Sequence, residues 1–174
     1  MKDVVALGEL LIDFAPVSTD DAGYPTLKAQ PGGAPGNFLA ALQQYGCSTA
    51  LIGKVGDDAF GRLLIGTLDS LGIGTRGIIA DACAFTTMAF VTLDGTGNRS
   101  FSFARKPGAD TCLRTDEINR SLIEECRVFH FGTLSLTDEP ARSATQAAVA
   151  FAKEQGKLVS FDPNLRKPLW PSED

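Results

Sequence analysis

An α/β fold built on a mostly parallel sheet, with helices on both faces, is predicted by two observations. Short apolar runs alternate with amphipathic helical patterns along the whole chain, the rhythm of strand–helix–strand units. Polar and glycine-rich clusters follow the apolar runs, at the places where strands of such a sheet end and ligands bind. A third observation adds to this class: a pair of β-like runs near residues 85–103 breaks the rhythm and predicts a structure projecting from the main sheet.

The elements follow in order. Val4 to Leu7 reads as a buried strand. Asn37 to Tyr45 reads as a helix stopped by Gly46. Thr49 to Ile52 is a second strand. Asp57 or Asp58 then caps a helix that puts Phe60, Leu63, Leu64, Leu68 and Leu71 on one face, ending at Gly72. Phe85 to Leu93 and Arg99 to Phe103 form a hairpin around Asp94-Gly95-Thr96-Gly97-Asn98. The stretch from Ile12 to Gln30 is expected to project with it. Thr115 caps a helix through about Cys126, with Asp116 and Glu117 in its first turn. Val128 to Phe131 is a strand. Thr137 or Asp138 opens the next helix, with Pro140 in its first turn and Gly156 closing it. Leu158 to Phe161 is a further strand, ending in Asp162-Pro163-Asn164.

Composition narrows the function. The chain has 174 residues, 44% hydrophobic and 21% charged, with a net charge of −5. That mixture suits one globular domain. No Lys/Arg stripe favours nucleic acid as a partner. The start has no uninterrupted apolar run of a secretory signal, because Gly8, Glu9 and Asp13 intervene. No run is long enough for a membrane span. The four cysteines, Cys47, Cys83, Cys112 and Cys126, form no CxxC pair, so no zinc site is expected. They read as small apolar fillers in a reducing, cytoplasmic setting.

Candidate ligand groups sit at the strand ends. Gly32-Gly33-Ala34-Pro35-Gly36-Asn37 precedes a helix and either aims backbone N–H groups at a ligand or forms a plain turn. It is neither a GxGxxG fingerprint nor a P-loop. Asp13 is either an acceptor for ligand hydroxyls or a solvated loop carboxylate. Asn37 bonds a hydroxyl or caps its helix. Arg105 and Arg166 hold an anion or lie on the surface. His130, the one histidine, reads as a satisfied core residue between Phe129 and Phe131. Phe101 and Phe103 read as core or interface.

In order along the chain, Gly8-Glu9-Leu10-Leu11-Ile12-Asp13-Phe14, Pro31-Gly32-Gly33-Ala34-Pro35-Gly36-Asn37, Gly53-Lys54-Val55-Gly56-Asp57-Asp58-Ala59-Phe60-Gly61, Pro107-Gly108-Ala109-Asp110, Phe129-His130-Phe131-Gly132 and Asp162-Pro163-Asn164-Leu165-Arg166 resemble the PfkB family of sugar kinases, and within it the fructokinases. The resemblance implies a ribokinase-like three-layer α/β/α sandwich with a mostly parallel sheet and a small β lid. Residues 1–174 are then the N-terminal part of a single domain, with lid segments at about 12–31 and 84–104 and the C-terminal part absent. It implies that Asp13, Gly32, Gly33 and Asn37 bind the sugar, that Arg105 and Arg166 reach sugar or phosphate, and that Asn164 lies near the phosphates and metal. ATP and Mg²⁺ are the implied cofactors, fructose the implied substrate, and a homodimer through the lid is permitted. Gly36 stands where many relatives have alanine. The family's Gly-Ala-Gly-Asp run, which supplies an anion hole and the catalytic base, does not occur among these residues, so these 174 residues alone are expected to be inactive. The competing readings are a 2-keto-3-deoxygluconate kinase, whose substrate carboxylate suits the two arginines, and a non-catalytic sugar-binding or assembly protein of the same family.

Overall fold

A computed structural model describes residues 1–93, 99–166 and 169–170. Its centre is β1 (Lys2–Leu7), whose apolar run is buried on both faces. Beside it lie β4 (Thr49–Gly56) and β8 (Cys126–Gly132), and outside these β5 (Gly74–Asp81) and β9 (Leu158–Asp162). The order is β5-β4-β1-β8-β9, and every pairing is parallel.

The pleat of β1 sorts its side chains between two cores. Val5 and Leu7 join Ala50, Ile52 and Phe129 against α3 (Arg120–Glu124) and α4 (Ala141–Glu154), through Leu122, Ala144 and Ala148. Val4 and Ala6 join Leu51 and Val55 against α1 (Ala34–Gln44) and α2 (Ala59–Ser70), through Leu39, Leu64 and Leu68. This is the three-layer sandwich expected. The expected glycine stops also hold, since Gly46, Gly72 and Gly156 each take positive φ just past a helix.

A second, four-stranded sheet contains β2 (Leu11–Thr19), β3 (Pro25–Gly32), β6 (Thr87–Leu93) and β7 (Arg99–Ala104), in the order β3-β2-β6-β7. β2–β3 and β6–β7 are antiparallel, and β2–β6 is parallel. These are the segments expected to project. The hairpin pairing is present, while the expected turn at 94–98 lies outside the described residues. Phe14 of β2 fastens this sheet to the first, stacking on Phe90 at 5.2 Å and meeting Phe60 of α2 edge-on at 5.5 Å.

Three expectations are corrected. Thr115 to Cys126 is not one helix. A 3-10 turn at Thr115–Glu117 gives way to extended Ile118, and only then does α3 begin. Glu117 explains the break. Its Oε1 accepts from the buried Lys54 ammonium at 2.7 Å and its Oε2 from the Arg114 N–H at 2.8 Å, which pins the turn to β4. Lys54 also pairs with Asp81 at 3.1 Å. Second, Thr137 and Asp138 do not cap α4 with their side chains, which turn instead to Arg105. Third, the cysteines are not uniformly fillers, because Cys126 is buried but Cys83 is exposed. The strand β5 was not expected, since its alternation is weak and its burial partial.

Asp58 is the joint between the sheets. As N-cap of α2, its Oδ1 accepts from the Phe60 and Gly61 N–H groups at 2.9 and 2.8 Å. The same carboxylate accepts the N–H and hydroxyl of Thr86, just before β6, at 2.8 and 2.9 Å. Asp58→Ala removes all four bonds. We expect a loss of about 2–4 kcal/mol in unfolding free energy, measured by urea denaturation; a loss under about 0.5 kcal/mol would place the joint elsewhere.

Candidate functional site

The two sheets enclose a cavity of about 180 Å³ beyond the carboxyl ends of β1 and β8. Glu9, Leu11 and Asp13 line one wall, Gly33, Ala34 and Asn37 a second, and Phe101, Phe103, Leu134, Asn164 and Arg166 complete it. Segments far apart in sequence therefore share one space.

The wall at Gly32 and Gly33 depends on close backbone approach. A Cβ on Gly32 would sit 2.3 Å from Asp13 Oδ2. Gly33 has φ +112, and a Cβ there would sit 2.4 Å from the carbonyl oxygen of Glu9. Only glycine meets both demands. Gly33 is also the N-cap of α1 and has no side chain to offer. Glu9 supplies the missing acceptor from 25 residues away, its Oε1 receiving the Ala34 N–H at 2.9 Å.

Asp13 stands on β2 with its carboxyl half-buried. Burial raises its pKa above the usual carboxylate value, and the Arg166 cation pulls it back. Asn37 lies near the start of α1, four residues past the Gly33 cap, so capping is not its role. Its side chain is exposed toward the cavity. Arg166 lies over the ring of Phe101 at 5.7 Å. Asn164 is held through its carbonyl, which accepts from Thr133 Oγ1 at 2.7 Å. Phe101 and Phe103, 6.3 Å apart and stacked, form cavity wall.

Arg105 is placed differently from the expectation. Its guanidinium is 2% exposed and is spent on protein partners. Nε and Nη2 grip Asp110 at 2.8 and 2.7 Å, Nη2 also donates to the Leu134 carbonyl, and Nη1 to Thr137 and Asp138. It does not line the cavity with Asp13, bordering instead a neighbouring hollow that shares Phe101 and Phe103. The fork geometry that suits an anion is satisfied by Asp110.

His130 is a core residue, as expected. It packs on Phe38 at 4.3 Å, and its Nδ1 meets Ser160 Oγ at 3.0 Å. Burial lowers its pKa, although Asp162 opposes this. The residue the sequence reading passed over is Glu9. It is 3% exposed, and its Oε2 is buried without a partner among the described residues. Burial pushes its pKa up to about 7 against the usual 4.5, in spite of its own backbone amide and that of Ala34. A signal was present in the sequence: an acidic residue directly beyond a buried strand and inside an otherwise apolar run.

Arg105→Met leaves Asp110 charged and buried, at an expected cost of about 3–5 kcal/mol. The double variant with Asp110→Leu is expected to recover a large part of it in urea unfolding. A double variant no better than the single would contradict the pairing.

A family model described as pfkB family carbohydrate kinase matches residues 1–174. A relative from Arabidopsis thaliana, named probable fructokinase-4, is 49% identical over 175 residues, covering 98% of this chain and 53% of the relative. The crystal structure of a fructokinase from Xylella fastidiosa matches with a TM-score of 0.93 at 34% identity, over 100% of this chain and 56% of that one. The Xylella enzyme with bound ATP matches at 0.92 and 32% identity, with the same coverage. A putative ribokinase II from E. coli, in complex with ATP and Mg²⁺, matches at 0.86 and 31% identity, over 97% of this chain and 55% of that one. The chain spans about half the length of the curated relatives it matches.

Proposed function

The chain belongs to the pfkB carbohydrate kinase family, and we propose that the protein containing it transfers the γ-phosphoryl group of ATP to D-fructose, giving fructose 6-phosphate. The observation that carries this reading is the shared cavity, in which Asp13, Gly33, Asn37, Asn164 and Arg166 converge. Relatives named fructokinases support the choice of sugar.

In this reading Asp13 accepts hydrogen bonds from sugar hydroxyls. Asn37, at the start of α1, fixes another. The backbone at Gly32 and Gly33 comes close to the ring because no side chain intervenes. The segments at about 12–31 and 84–104, which form the second sheet, act as a lid over the sugar, limiting access of water to ATP. Arg166 offers a guanidinium to phosphate, and Asn164 lies near the phosphates. ATP is supported by the ATP-bound structure from Xylella fastidiosa, and Mg²⁺ by the E. coli complex. Among the described residues, no group of three or more His, Cys, Asp or Glu is arranged to hold a metal. These residues therefore form no cage for Mg²⁺, and we assign it to the ATP phosphates, the usual mode for this ion. No residue here is assigned the base, because the expected Gly-Ala-Gly-Asp run does not occur among these 174 residues.

The rival substrate, ketodeoxygluconate, was favoured by two arginines suited to its carboxylate. Arg105 is committed to Asp110, which removes half of that support. Homodimerisation is assigned to the lid, whose β3 is an exposed edge strand. A cytoplasmic setting fits the four free cysteines.

A coupled ATP assay on the intact protein tests the reading. Fructose is expected to be preferred over ketodeoxygluconate. Asp13→Asn is expected to lower kcat/KM for fructose by roughly 10- to 100-fold, the worth of hydrogen bonds to a charged acceptor. The 174 residues alone are expected to show no turnover. Equal or better use of ketodeoxygluconate would replace the substrate, and an intact protein with no kinase turnover would favour the binding role.

A further inference from the structure

We propose that Glu9 is a sugar-binding group of this cavity: a neutral carboxylic acid whose Oε1 accepts the Ala34 N–H and whose Oε2–H donates to an oxygen of the bound sugar. This deepens the sugar-kinase reading and rests on it.

Geometry carries the inference. Glu9 follows β1 directly and lines the same cavity as Asp13 and Asn37. One carboxyl oxygen has a partner, the Ala34 amide. The other is buried and has no partner among the described residues. Buried polar atoms without partners are uncommon and costly, and those that persist point to a role. The cavity is where a partner can enter, and a polyhydroxylated ligand brings oxygens to it.

The protonation state follows from the surroundings. Among the described residues, the charged groups acting on Glu9 are Asp110 and Arg105, with Asp13 and Arg166 on the wall of the same cavity. Asp110 disfavours a second negative charge, and Arg105, which opposes this, is spent on Asp110. No acidic residue lies in the first turn of α1. Burial is the largest influence, holding the acid protonated up to about pH 7. Asp13 and Glu9 then offer complementary chemistry. A sugar hydroxyl can donate to the Asp13 carboxylate and accept from the Glu9 acid.

The sign of the pH effect is fixed. The folded pKa lies above the unfolded one, so the stability linked to Glu9 is full below about 4.5 and drains as pH rises through about 7. Sugar binding to the protonated form must weaken over the same rise.

The test is calorimetric titration of the intact protein with D-fructose between about pH 5.5 and about pH 8.5, for wild type, Glu9→Gln and Glu9→Leu. Wild-type affinity is expected to fall as pH passes through 7. Glu9→Gln keeps an acceptor for Ala34 and a donor for the sugar. It is expected to bind within about threefold of wild type at low pH and to lose the pH dependence. Glu9→Leu is expected to bind about 10- to 100-fold more weakly at every pH. Should Glu9→Leu fail to fold, the Glu9→Gln profile still decides. Wild-type affinity that is flat through pH 7, or Glu9→Gln losing affinity as an abolished anion would, overturns the proposal. So does Glu9→Leu binding like wild type, and that outcome leaves the sugar-kinase reading standing. A folded wild type that binds no fructose overturns that reading, and this proposal with it.

Discussion

The close approach of the Gly32–Gly33 backbone to the segment between β1 and β2 is the constraint on which the site depends. Gly33, at φ +112, lies against the Glu9 carbonyl at a separation no side chain permits, and Gly32 lies close to the Asp13 carboxylate, which would have to move for any side chain there. That contact sets where α1 starts, which wall Asn37 occupies and how deep the cavity is. It also leaves the helix start without a cap of its own. The deficit is filled by Glu9, a residue the same contact buries. Helix capping and ligand chemistry thus meet in one carboxyl group.

The second sheet is held by its base. Thr86 and Thr87 lie at the start of β6, and Arg105 follows the end of β7, which pairs with it at Met88 and Ala104. Asp58 takes Thr86, and Asp110 takes both Thr87 and Arg105. Arg105 then reaches Leu134, Thr137 and Asp138 beyond β8. Buried charge pairs contribute little net stability but fix geometry, since misplacing one partner strands the other. Toward its far end β2 grows exposed, from Leu11 to Thr19.

Much of this was legible in the residues. The run at Val4 to Leu7 announced a strand buried on both faces, and the parallel sheet followed. Gly46, Gly72 and Gly156 marked helix ends because positive φ is cheap only for glycine. The convergence of Asp13, Gly33, Asn37, Asn164 and Arg166 followed from the rule that ligands collect at strand ends. What stayed hidden depended on partners distant in sequence. Thr115 looked like a cap until Glu117 proved to be held by Lys54, 63 residues away. Arg105 looked free although Asp110, its main partner, stands five residues on; its other partners, Leu134, Thr137 and Asp138, lie 29 to 33 residues away. Glu9 left a local mark, an acid interrupting an apolar run, but the turn that donates to its carboxyl group comes 25 residues later.

The most direct measurement is a crystal structure of the intact protein with D-fructose. The account predicts the sugar between β2 and the start of α1, its hydroxyls within hydrogen-bonding distance of Asp13 and Asn37, and Arg105 still closed on Asp110. Sugar bound away from those two side chains, in any other hollow of the molecule, would contradict it.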